Sequence, residues 1–223
     1  MKRKAPVTMA LLVTIAIVFL FEFLVGGPRL SPGWDIFVSD VNPQVLASFG
    51  AILGGTLARH EYWRLFAAMF LHASILHYAV NSWALYQLGT LYEVLFGSRR
   101  FILIYLATGL CASIASAVHI GYGNGASVGA SGAIFGILGA FIFSIWRSPL
   151  YRRQPWTRSL LGQLLFWMAL NIFIGYKLPF IDNTAHIGGL IAGLILGLIP
   201  HRVPPPPPRN SVIDVGTFDQ PPR

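Results

Sequence analysis

Six long apolar runs limit what this chain can fold into, near residues 7 to 26, 74 to 96, 101 to 120, 131 to 148, 159 to 178 and 183 to 200. A helix that crosses a bilayer needs about 20 mostly apolar residues. Each run approaches that length, and with 55% hydrophobic against 11% charged residues among 223 the chain is too apolar for an ordinary soluble domain. The expected fold is therefore an all-α membrane protein, a bundle of six transmembrane helices. Short connections at Gly97-Ser98, Gly121 to Gly125 and Ser148-Pro149 make successive helices antiparallel neighbours.

The first run follows Met1-Lys2-Arg3-Lys4, which resembles the start of a signal peptide. No small-x-small cleavage site precedes Gly26-Gly27-Pro28, so the run reads as a retained span. Cys111 in the third run has no second cysteine to pair with and reads as a small apolar packing residue.

A formal charge of +8 raises the question of nucleic acid, and the placement of the basic residues answers it. Six spans put Lys2, Arg3, Lys4, Arg99, Arg100, Arg147, Arg152, Arg153, Arg158, Arg202, Arg209 and Arg223 on one side. Arg29, Arg59, Arg64 and Lys177 fall on the other. This is the positive-inside bias, which places both termini in the cytoplasm and the 27 to 73 segment outside. The charge encodes orientation, and no nucleic-acid partner is expected.

Within that outer segment, Val45 to Leu53 and Leu65 to Leu71 are apolar but too short to span, so they read as interfacial or re-entrant helices. Trp34, Tyr62 and Trp63 suit the headgroup level, and Arg64 beside them either binds phosphate or pins the loop. At the other end, Pro204 to Pro208 open an extended tail, so residues 203 to 223 read as a disordered cytoplasmic segment after a membrane domain of residues 1 to 202.

The same topology sends spans two, four and six inward from the outer face, so their N-terminal ends share one depth. His72, His77 and Asn81 open span two, Ser131 opens span four and His186 opens span six. Gly132, Gly136 and Ala140, with Gly189, Gly193 and Gly197, repeat small residues at every fourth position, which lets spans four and six approach closely. Ser131 and His186 stand at the outer end of that seam. A serine hydroxyl becomes a nucleophile when a base takes its proton, and histidine is the usual base. Acyl transfer also needs donors for an oxyanion, for which the Ser131 amide, Asn81 and His77 are candidates. Each residue alone has a structural explanation, but polar groups are costly in lipid, and five at one depth suggest a water-filled cavity.

These residues resemble the rhomboid intramembrane serine proteases. The likeness rests on Gly129-Ala130-Ser131-Gly132, on His72, His77 and Asn81 at their spacing, and on Ala185-His186 followed by Gly189 and Gly193, with Trp63-Arg64 and Glu93 also fitting, over roughly residues 60 to 200. The resemblance implies a six-helix core with a long outer loop between spans one and two. It implies Ser131 as nucleophile, His186 as base, and an oxyanion hole of Asn81, His77 and the Ser131 amide. Gly129 would give the loop room near the scissile backbone, with Gly132 and His72 supporting the site. Phe135 stands where some members place a tyrosine against the histidine. No acid is obligatory, although Asp182 lies near His186. The implied substrates are transmembrane helices of other proteins, entering past span five with its Phe166, Trp167 and Phe173.

The expected activity is serine endopeptidase cleavage within the bilayer, with no metal and no cofactor. A non-catalytic rhomboid-like binder of transmembrane clients is the alternative. A small-solute transporter fits less well, because no sequence repeat and no inner polar path are visible. The compact form without an added domain points to a bacterial plasma membrane, with the site opening outward.

Overall fold

Each of the six apolar runs forms a helix over the residues that the computed structural model describes, which are 4–26, 41–177 and 181–199. Trp34 and the proline-rich tail lie outside them. The first run is α1 (Pro6–Gly26). The second is a composite of α4 (Ile75–Ala84), a π-helical turn (Leu85–Gly89) and α5 (Thr90–Phe96). The others are α6 (Ser98–Ile120), α7 (Ser131–Arg147), α9 (Pro155–Lys177) and α10 (Asn183–Gly197). A single turn, α8 (Pro149–Arg152), joins α7 to α9. Proline at the first position of α9 starts that helix before the run predicted from residue 159, because its missing N–H is not needed there.

Among the described residues three helices, Pro6–Gly26, Ser98–Ile120 and Thr157–Lys177, are long and apolar enough to cross a membrane. α7 and α10 are apolar but shorter, at 17 and 15 residues. At about 1.5 Å per residue each falls short of a hydrocarbon core of about 30 Å.

α7 is the central helix, and every residue from Gly132 to Phe141 is buried. It is apolar on all sides and packs against both α6 and α10. The glycines act in two directions. A Cβ on Gly189 would fall on the carbonyl of Gly132, and one on Gly193 on that of Gly136, so the α10 glycines admit the α7 backbone. The glycines of α7 open instead towards α6, where a Cβ on Gly132 would meet Ala112 and one on Gly136 would meet Thr108. Cys111 is exposed rather than packed. The buried stripe of α6 runs through Thr108, Ala112 and Ser116, and residue 111 lies off it.

Polar contacts fix one end of the bundle. The Glu93 carboxylate accepts hydrogen bonds from the amides of Val7 and Thr8 (2.9 and 2.7 Å), the Thr8 hydroxyl (2.8 Å) and the Ser98 hydroxyl (2.6 Å). It therefore caps α1 while tying it to α5 and α6. Such bonds are worth about 1.5–3 kcal/mol each before the cost of burying the charge, so what they secure is relative position more than net stability. At the same end Arg100 donates to the Tyr92 hydroxyl (2.8 Å) and to the carbonyls of Leu196 and Ile199, and Arg147 donates to that of Leu198 (2.7 Å). Both guanidinium groups meet the negative end of α10.

Candidate active site

The segment before α4 forms a scaffold for the loop that leads into α7. It holds α2 (Pro43–Phe49), β1 (Ile52–Leu53), and α3 (Trp63–Ala67) followed by a 3-10 turn (Ala68–Phe70). β1 pairs antiparallel with β2 (Ala126–Ser127), Ile52 opposite Ser127 and Leu53 opposite Ala126. The Gly129 amide then donates to the Ala68 carbonyl at 2.8 Å. Arg64 pins this scaffold. Its guanidinium donates to the carbonyls of Ala47 (2.5 Å) and Ala51 (3.1 Å) and to Glu61 (2.8 Å), and lies over the Trp63 ring. Of the two roles open to Arg64 in the sequence, these contacts are the pinning one. Hydrogen bonds from Arg59 and then from Arg64 hold the Glu61 carboxyl below its usual pKa.

Gly129 has φ of +127°, and a Cβ there would lie 2.8 Å from the His77 ring, so two separate demands exclude a side chain. The space it leaves is taken by His77. Two residues later the chain enters α7 at Ser131, whose amide, at the first helical position, has no intrahelical acceptor. The first turn of α10 brings His186 opposite, and its Nε2 stands 2.9 Å from the Ser131 Oγ. The Phe135 ring lies flat against the imidazole, with centroids 4.4 Å apart and planes 4° from parallel. His186 is buried, and its Nδ1 has no hydrogen-bond partner among the described residues.

Asp182 does not bond to that nitrogen. It is the N-cap of α10, accepting from the Ala185 amide at 3.0 Å, and its other oxygen takes the Ser116 hydroxyl. Burial opposes its charge, yet the bonds from Ser116 and Ala185 outweigh this and hold its pKa below the usual carboxylate range.

On α4, Asn81 is buried and gives one Nδ2 proton to the His77 carbonyl at 2.9 Å, leaving the second proton of that nitrogen uncommitted. His72 lies deeper. Its ring is fully buried and edge-on to Phe19, His77 and Tyr78. Its amide donates to the carboxyl group of Glu22, 3.2 Å to the nearer oxygen. Glu22 is fully buried in α1 and is absent from the sequence-derived site. A lone acid within an apolar run is the signal that would have found it.

Together these features define a helical membrane protein with a serine and a histidine in contact where two helices begin. The comparisons with known proteins narrow that class to a family. A family model described as the rhomboid domain matches residues 59–203. The chain is 41% identical over 159 residues to Rhomboid protease GluP of Bacillus subtilis (strain 168), covering 71% of this chain and 30% of that protein. It is 41% identical over 141 residues to RHOMBOID-like protein 6, mitochondrial, of Arabidopsis thaliana, with coverages of 63% and 44%. Rhomboid-type serine protease 2 of Emericella nidulans is 33% identical over 155 residues, with coverages of 68% and 30%. The chain belongs to the rhomboid family, and it spans less than half the length of each of these relatives.

Proposed function

We propose that this protein is a serine endopeptidase that hydrolyses peptide bonds in or near the transmembrane segments of other membrane proteins, with Ser131 as nucleophile and His186 as general base. The observation that carries the reading is the 2.9 Å approach of His186 Nε2 to the Ser131 Oγ. With Nδ1 protonated, Nε2 accepts the serine proton as Oγ attacks the scissile carbonyl. The carbonyl oxygen becomes an oxyanion, and the free Ser131 amide and the second Nδ2 proton of Asn81 are the donors for it, with His77 beside them. The imidazolium then gives its proton to the leaving amine. Water, activated by the same ring, releases the acyl group from Ser131 and restores the hydroxyl.

The remaining parts of the reading follow from the helices. α7 and α10 are shorter than a full span, which supports Ser131 and His186 recessed below the outer surface in a cavity that admits water, within the six-crossing bundle that belongs to this reading. Little of α9 is buried, and Phe166, Trp167 and Phe173 are exposed on it, so it is the element to move when a substrate helix enters. The orientation with the basic end in the cytoplasm and a bacterial plasma membrane as the location belong to the same proposal, as does a membrane domain of residues 1 to 202 followed by a tail.

The test is to expose detergent-solubilised protein to a fluorophosphonate probe and to a single-span model substrate, comparing wild type with Ser131→Ala and His186→Ala. Wild type is labelled and cleaves, and both variants lose cleavage. Labelling or cleavage that persists without the Ser131 hydroxyl rejects the mechanism. A wild-type protein that binds the substrate and never cleaves it is a binder instead.

A further inference from the structure

The end of the bundle away from Ser131 carries a groove that the proposed chemistry leaves unused. It has a volume of about 730 Å³ and runs along α6 and the end of α10, with Leu103, Ala107 and Leu196 on its apolar walls and Arg99 and Arg100 at its edge. Leu103 and Ala107 are exposed. The Arg100 guanidinium is fixed there on the Tyr92 hydroxyl and on the carbonyls of Leu196 and Ile199. Arg99 is exposed, and neither arginine has a carboxylate partner among the described residues. Among the described residues the acid at this end is Glu93, which is buried and occupied by α1 and Ser98.

We propose that this groove binds an anionic glycerophospholipid, one acyl chain lying along Leu103, Ala107 and Leu196 and the phosphate meeting Arg99. Charge and shape select this occupant together. A soluble anion answers the arginines and leaves the apolar walls bare. A neutral lipid fills the walls and leaves the positive charge unmatched. Basic pockets between membrane helices on the side of the negative leaflet are suited to such headgroups. The first turn of α6, which has no side-chain cap, adds the positive end of its dipole at the same place.

The experiment is native mass spectrometry of the full chain in detergent, titrated separately with phosphatidylglycerol, phosphatidylcholine and inorganic phosphate. One phosphatidylglycerol binds in preference to phosphatidylcholine, and phosphate does not displace it. Arg99→Gln weakens the binding about fivefold, the share expected of one surface charge. Ala107→Trp, which fills the groove from an exposed position, abolishes it. Circular dichroism of both variants checks that the helices are intact, and Arg99→Gln alone decides the matter if Ala107→Trp is misfolded. Equal binding of the two lipids, displacement by phosphate, or unchanged binding in a folded variant overturns the proposal.

Discussion

The His186 imidazole is steadied from its face and not from behind. In the familiar triad an acid bonded to the second ring nitrogen sets the tautomer and the orientation. Here Nδ1 has no partner among the described residues and Asp182 spends its oxygens on Ala185 and Ser116, so the flat stack on Phe135 restrains the ring beside its contact with Ser131. An aromatic pair of this kind is worth about 0.5–1.5 kcal/mol. Phe135→Ala is therefore expected to lower kcat on a model substrate by about 2- to 10-fold with little change in KM, and Phe135→Tyr to restore it. Asp182→Asn, which still caps α10, should leave kcat nearly unchanged, and a collapse of activity there would make the acid a third member. That Ser131 and His186 would meet was legible, because helix starts and the expected alternation of spans put the two at one depth. The commitments of Asp182 were not, since Ser116 lies in another helix and no spacing links the two. Nor was the pairing of Glu22 with the His72 amide, for the same reason.

Among the elements, the four-residue spacing of small side chains correctly named α7 and α10 as neighbours. It did not say which helix each missing Cβ faces, because a stripe marks one side of a helix and not what lies against it. Gly193 faces the Gly136 backbone, whereas Gly162 on α9 has nothing near its Cβ position. Gly193→Leu should thus unfold the bundle or cost about 3 kcal/mol or more, since a backbone cannot move aside as a side chain can. Gly162→Leu should be tolerated. Thermal unfolding in detergent, followed by circular dichroism, distinguishes them, and equal behaviour would mean that α7 and α10 do not pack as described. The β1–β2 bridge and the π-helical turn in the second run left no trace in the sequence. A pairing only two residues long has no period to detect, and one π turn within an apolar run does not disturb its hydropathy.

For the molecule as a whole, the two ends of the bundle differ in charge as well as in chemistry. One end gathers Lys4, Arg99, Arg100, Arg147, Arg152, Arg153 and Arg158 where α1 and α6 begin and α7 and α10 finish. The other holds Ser131 and His186 with Arg59 and Arg64, both bound to Glu61. Orientation follows the count of basic residues beside the spans, so the end without the serine should face the cytoplasm. In a Cys111→Ala background, Tyr122→Cys, on a highly exposed side chain between α6 and α7, should react with a membrane-impermeant maleimide in intact cells. Lys4→Cys should react only after permeabilisation. The reverse pattern would turn the molecule over, and would place the serine at the cytoplasmic face. Labelling of both positions in intact cells would mean that α1 to α6 do not cross an odd number of times, and the six-span bundle would fail with them.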